Sequence, residues 1–432
     1  MIIDRLNGLM HRLTDNTVFA DLLAPIDKVL ARLRPARAEG CVLSMPDFIA
    51  LGVLRHVQSM ATLREQVQSL LHLAPEMATA PLARSTWSDA LASKARRAVL
   101  SDLLPVLTRN AGDVLPDRLA QIPGLGNRPV RAIDGTYQHE SAHYRRCTPK
   151  EGGNDNPKGH ALLSFYNVRL GIPEDVSVDT RNRHETMLLR DYDQTPPALT
   201  QDKKVVWLVD RAFIDARYWD GKKRTLGSTL ITRMKSNLAI RSFEAMPFEE
   251  NAINAGVVLD LRVELASSPQ PWRLITYRVR PGDDIEFLSN DFDLTPGVIA
   301  FLYSRRWDEE KCFDTGKNDF SQAKAWGKSV VAIDNQVRLA IITSILIAIR
   351  LHETLGKQGI VDEKSLNKQD KRQAKGPEST DGTDRPDWTV PLFRHTAKVS
   401  RQVLRFFKFC FLKRASPELY QRELRPLLLA YL

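Results

Sequence analysis

Cysteine is scarce in this chain. There are four in 432 residues, and Cys41, Cys147, Cys312 and Cys410 stand far apart. No pair has the short spacing of a zinc knuckle, and the density is far below that of a disulfide framework, so the thiols read as reduced and intracellular. Long hydrophobic runs are missing too. The most apolar window, Leu339–Ile349, is about 11 residues, too short to span a bilayer, and Arg338 and Arg350 bracket it. The opening stretch MIIDRLNGLMHRL carries Asp4 early and has no apolar core, so no secretory signal is expected. The expectation is a cytoplasmic protein, with access to the nucleoid in a bacterium, that engages no membrane. Internal repeats are absent. Neither charge dominates: 62 Lys and Arg face 52 Asp and Glu, a net +10 that allows a polyanionic partner, nucleic acid first, without requiring one.

What is present suits a sizeable globular chain. Hydrophobic residues make up 43% and charged residues 26%, and the length argues for roughly two to three domains. Residues up to about 120 follow helical periodicity. Ser44 is a candidate N-cap with Pro46 in the first turn, and Ser85–Leu91 opens a helix carrying Lys94, Arg96 and Arg97. A helical bundle and a helix-turn-helix DNA-binding head both fit this pattern. From Pro129 the pattern changes. Val130–Asp134 reads as a strand ending in an acid, Ala161–Val168 and Val176–Val178 as the next two strands, and His139–His160 between the first two as a loop. Val205–Val209 runs straight into Asp210, a continuous apolar run that suggests a strand buried on both faces. Alternating stretches at Val257–Leu265, Trp272–Val279 and Ile285–Leu288 form a β-rich block. Thr295-Pro296 starts a helix holding Tyr303–Lys317, and a long apolar helix, Ile333–Glu353, follows. Residues 357–388 are almost devoid of apolar side chains, as a linker would be. Residues 398–432 hold eight Lys and Arg against two Glu, interleaved with Phe406, Phe407, Phe409 and Phe411.

Three carboxylates carry the chemical argument: Asp134 and Asp210 at strand ends and Glu310 on a helix. Open α/β sheets place function where strands end. An acid closing a VVWLV strand is costly to bury unless it meets a cation. Two divalent ions held by such acids suit displacement at phosphorus, and hard oxygen ligands favour Mg²⁺ (or Mn²⁺) over zinc. On a helix, Tyr303, Arg306, Glu310 and Lys317 share a face about 60° wide. Two readings of that stripe stand: a solvated face with Arg306 and Glu310 as an i,i+4 pair, or a face aimed at a metal and a phosphate. Glu309 and Asp314 lie close enough to share the role given to Glu310. His139 and His143 follow the first aspartate and are candidates for proton transfer or DNA contact, or plain loop histidines.

Tyr303-x2-Arg306-x3-Glu310-x6-Lys317 resembles the YREK signature of bacterial insertion-sequence DDE transposases of the IS-four family, and Trp307 matches as well. Ile133-Asp134-Gly135-Thr136 is similar to that family's first-Asp motif, and Leu208–Phe213 to its second. The likeness covers about residues 130–350. It implies an α/β fold with an RNase H-like catalytic core, a mixed central sheet flanked by helices. The expected layout is a helical N-terminal DNA-binding region over 1–125, a first core segment over 126–235, a β-rich insertion over 236–294 and a second core segment with the Glu helix over 295–356. A polar linker over 357–390 and a basic helical tail over 391–432 complete it. The resemblance implies cleavage at transposon ends and strand transfer into target DNA, with Asp134, Asp210 and Glu310 as catalytic ligands of two Mg²⁺ or Mn²⁺. Tyr303, Arg306 and Lys317 would contact phosphates, with Arg211 as a further phosphate contact. Trp272, within the insertion, is a candidate for stacking on a flipped base against the plainer alternative of a buried sheet tryptophan. The implied partners are double-stranded DNA with terminal inverted repeats, target DNA and a second copy in a synaptic homodimer. A catalytically silent inhibitor or domesticated copy, and a nuclease without strand transfer, are the rival readings.

Overall fold

Val206–Val209 (β4) has the four residues Val-Trp-Leu-Val all buried, and the sheet is built outward from it. In the computed structural model the described residues are 22–29, 43–57, 83–139, 159–179, 184–280, 282–306, 325–327 and 329–358. Among them β1 (Val130–His139), β2 (Gly159–Asn167), β3 (Ile172–Asp179), β4, β5 (Thr229–Arg233), β6 (Ile240–Ala245), β7 (Val257–Leu265), β8 (Pro271–Arg280) and β9 (Asp283–Ser289) form one sheet. Its order is β3-β2-β1-β4-β5-β9-β8-β7-β6. β1, β4 and β5 are parallel, while β2 and β3 add antiparallel on one side. β9 pairs antiparallel with β5, so the β-rich segment extends the sheet.

Alternation along the strands sorts side chains to two faces. Ile133, Trp207, Val209 and Leu230 pack with Leu188 and Leu189 of α4 (Glu185–Asp193) and Trp219 of α5 (Ala216–Leu226). Val130, Ala132, Val206, Leu208 and Ile231 pack on the other face with Val298, Ile299, Leu302 and Tyr303 of α6 (Pro296–Ser304). β4 is therefore covered on both faces, as its unbroken apolar run predicts. Asp215 caps α5 by accepting from the Tyr218 amide, and Gly227, at φ 68°, ends it in the left-handed conformation.

The N-terminal helices α1 (Met45–Val57), α2 (Arg84–Leu91) and α3 (Lys94–Val114) share a second core with α7 (Val330–Gln358) and one end of the sheet. At Gly52 a Cβ would lie 2.6 Å from Leu339 Cδ1, so α1 and α7 touch where a side chain is missing. Val330–Arg350 is long and apolar enough to cross a membrane by composition, but 83% of its window is buried inside the protein, which marks a core helix. Ser44 accepts from the Asp47 amide at 3.2 Å, the cap the sequence predicts. Of the basic residues at the start of α3, Lys94 is exposed and Arg97 is partly exposed, but Arg96 is turned inward. Arg96 is buried, donates to Ser44 O at 3.2 Å and covers the Phe48 ring at 4.8 Å, and Arg97 pairs with Asp334 at 2.5 Å. The run Leu63–Leu73, the segment 357–388 and the tail 398–432 lie outside the described residues.

Candidate active site

Parallel register brings the two aspartates together. Ile133 pairs with Val209, and the next residue on each strand is Asp134 and Asp210. Neighbouring strands run about 4.8 Å apart, and residues in register share a face. Both acids thus fall on the α6 face. Asp210 directly follows β4, but Asp134 lies mid-strand: β1 does not end at the acid as the sequence suggests and runs on to His139, paired with β2, and it is only the parallel pairing with β4 that stops at Ile133. Asp134 Oδ1 accepts from the Gly135 amide at 2.9 Å, and its side chain keeps 20% exposure. Asp210 is half-buried, and its carbonyl accepts from Phe213 N at 3.0 Å, starting a short 3₁₀ turn, Arg211–Phe213.

α6 delivers the other half of the site. Pro296 sits in its first turn, and its almost wholly apolar sequence beds it on the sheet. Tyr303, 3% exposed, lies against Phe287 with ring centroids 5.2 Å apart. The helix closes at Ser304, so the uninterrupted helix expected through Lys317 is not what the chain forms. Arg305 and Arg306 continue in a turn, with their amides bonding back to Leu302 O and Tyr303 O at 2.9 and 3.0 Å, the tighter i→i−3 pattern of a helix end. That turn keeps Arg306 beside Tyr303, its guanidinium carbon 5.7 Å from the ring centroid, and places Nη1 3.7 Å from Asp134 Oδ2. Arg306 is 7% exposed, which rules out a solvated salt-bridge face for this part of the stripe. Burial raises the Tyr303 hydroxyl above its ordinary pKa, Arg306 opposes the rise, and Asp210 and Arg233 act on the same group in opposite directions. The phenol stays protonated at neutral pH and is a donor.

Arg233 is a site residue that the sequence reading passed over. Leu208 pairs with Ile231, and two residues further along stand Asp210 and Arg233. Arg233 in turn pairs with Phe287, which lies in the α6-face core. Three neighbouring strands therefore bring Asp134, Asp210 and Arg233 to one level. The signal was available by counting register from Val130, Val206 and Thr229, and is invisible to residue type alone.

Glu310, Glu309, Asp314, Lys317, Trp307 and His143 lie outside the described residues; His139 ends β1. Arg211 is exposed immediately after Asp210. Trp272 is fully buried in β8, its indole N–H shared between Asp220 Oδ1 and Ser268 Oγ at 3.1 Å each, so it is a sheet-core tryptophan and cannot stack on a base without leaving the core. Among the described residues no three acidic, histidine or cysteine side chains converge as a metal site. The two carboxylates in register do fit a hard divalent cation as part of a larger oxygen set.

No curated protein matches the sequence. Among solved structures the chain is similar to one described as a piggyBac transposase synaptic complex with hairpin DNA, at 9% identity and a TM-score of 0.39, over 98% of this chain and 84% of that one. Residues 126–346, slightly over half of the sequence, match the transposase DDE domain, and the chain belongs to that family of transposases.

Proposed function

We propose that this transposase cuts DNA at the ends of an insertion sequence and joins those ends to target DNA by metal-dependent transfer at phosphorus, as an IS-four type enzyme with an RNase H-like core. The observation that carries the reading is the convergence of Asp134 on β1 and Asp210 directly after β4, brought together by parallel register, with Tyr303 of α6 and Arg306 of the turn that follows it. Asp134 and Asp210, with Glu310 as the third carboxylate, would hold two Mg²⁺ or Mn²⁺. When bound, such ions activate the attacking water or 3′-hydroxyl and stabilise the leaving oxygen.

The chain's own groups do the rest. Arg306, buried beside Asp134, presents a cation to the non-bridging oxygens of the scissile phosphate, where charge develops. Tyr303 donates a hydrogen bond as a neutral phenol. Lys317, Arg211 and Arg233 add positive charge along the DNA backbone. The partners are double-stranded DNA bearing terminal inverted repeats, target DNA and a second copy of the chain in a paired-end complex, in the bacterial cytoplasm. The test is purified protein with Mg²⁺ and a labelled duplex carrying the inverted repeats that flank its gene. Cleavage plus joining, lost in Asp210→Asn and Glu310→Gln, supports the reading. Binding without cleavage would leave a silent inhibitor, and cleavage without joining a nuclease.

A further inference from the structure

On the opposite face of the sheet, α5 forms one wall of a cleft of about 750 Å³. The other walls are Arg241 of β6, the β7–β8 turn around Ser268 and Gln270, and Phe292 after β9. Arg217, Gly221 and Arg224 recur at four and three residues along α5 and so share the helix face that opens into it. Arg217 and Arg224 are exposed and form no ion pair among the described residues. Lys223 donates to the carbonyl of Asn290 on the cleft floor, and its ammonium stands 5.3 Å from the Phe292 ring, with Arg262 at 5.7 Å from the same ring. Asp220 is the acid among the lining residues, and its carboxylate is turned to the wall: Oδ2 accepts from Ser268 at 2.6 Å and Oδ1 from Trp272 at 3.1 Å. The cleft therefore presents four cations, Arg217, Lys223, Arg224 and Arg241, with the neighbouring acid already occupied.

Its place in the fold separates it from the carboxylates. α5 packs on the face opposite α6, and Asn290, on the floor, bonds to Leu230 near the start of β5, whereas Arg233 marks the other end of that strand. The sheet thickness plus most of a strand length puts roughly 15 Å between cleft and carboxylates, too far for one phosphate to reach both.

We propose that this cleft is a second nucleic-acid site, which grips the phosphate backbone of a DNA segment other than the one being cut. This rests on the transposase reading and extends it. Exposed arginines spaced along one helix face beside an aromatic ring, with the neighbouring Asp220 carboxylate held by Ser268 and Trp272, match a run of phosphates better than a single small anion. The contact is to backbone, so it is sequence-independent and falls with salt.

Fluorescence anisotropy of the full chain with a duplex of about 25 base pairs of unrelated sequence, titrated across salt, tests it. The charge-reversal pair Arg217→Glu with Arg224→Glu is expected to weaken binding about tenfold or more and to lower the slope of log K against log salt by about two. Gly221→Glu is the second variant: a Cβ there meets nothing within 4 Å, so it places an acid in the cleft without disturbing the fold. It is expected to weaken binding in the same direction, and thermal melting checks that each variant is folded. Unchanged affinity and slope in folded variants overturns the proposal. Loss of binding to a polyglutamate probe with DNA binding intact overturns it in favour of an acidic protein partner. Asp210→Asn distinguishes the two levels: it abolishes cleavage and spares this binding if both readings hold. A chain that binds and cleaves DNA equally well with the cleft reversed keeps the transposase reading and loses this one. A wild-type chain that binds no DNA loses both.

Discussion

The Arg306 guanidinium stands 3.7 Å from the Asp134 carboxylate, and both groups are largely withdrawn from solvent. A cation so close to a proposed metal ligand both lowers the cost of placing two acids side by side and competes for one of them. Arg306→Gln is expected to reduce DNA cleavage by about 10²–10³, the scale for removing one preorganised stabilising donor. Binding of Mn²⁺, followed by titration against protein melting temperature, should persist or tighten. Loss of metal binding together with cleavage would make Arg306 a structural support of the acids and not a phosphate contact.

Asp134 and Asp210 are in register on adjacent strands, so neutralising one removes a like charge about 5 Å away. In metal-free buffer Asp210→Asn should melt at or slightly above the wild-type temperature. Added Mg²⁺ should stabilise the wild type by about 1.4 kcal/mol at ten times its Kd, and the variant by little. A chelator should reverse the wild-type shift. An equal Mg²⁺ shift in both proteins would place the ion elsewhere.

Part of this candidate site is legible in the sequence because its chemistry lies in local signals. The acids after the apolar runs Val130–Ile133 and Val205–Val209 fall on parallel neighbouring strands, and Asp210 does follow the end of β4, whereas β1 continues past Asp134 to His139 because β2 pairs with it there. What was not legible is set by long-range pairing. Arg233 belongs to the site only because β5 is in register with β4, and Trp272 is core only because α5 supplies Asp220 to its indole. Arg96 looks like part of a basic surface in sequence, yet it is buried against the Ser44 carbonyl, and the half-exposed Arg97 pairs with Asp334 from far along the chain. The closing of α6 at Ser304 follows from i→i−3 bonding that helical periodicity does not encode.

Gly135, next to Asp134, faces the end of the Glu185 side chain. A Cβ there would lie 2.4 Å from Glu185 Oε1 at the start of α4. Gly135→Ala should therefore push the Glu185 carboxylate aside, at a cost of about 1 kcal/mol, the low end of the range for overpacking, and lower cleavage if the adjacent aspartate shifts with it. Glu185→Ala in the same chain should recover most of that loss, a coupling of about 0.5 kcal/mol or more in a double-mutant cycle. Additive losses in chemical denaturation would show that the two residues do not oppose one another.

Asp291 locks the end of β9 to the start of β5. Its carboxylate is fully buried, pairs with Arg128 at 2.7 Å, and accepts from Thr229 Oγ1 and from the Asp293 and Leu294 amides at 3.0 Å each. Burial alone would raise its pKa, but the Arg128 cation and the donated hydrogen bonds outweigh it, and the group lies below the ordinary value of 3.8. A depressed carboxylate pKa stabilises the fold above the unfolded-state value, and that contribution is lost as pH falls through the folded-state value. Asp291→Asn keeps the shape but leaves Arg128 without its charge partner, which should cost about 3 kcal/mol at pH 7. Urea midpoints of the two proteins should converge as pH drops below 3.8 toward the folded-state pKa, because the wild type loses the same charge. A gap that stays constant from pH 7 down through that window would show that the pair with Arg128 contributes nothing that depends on the charge of Asp291.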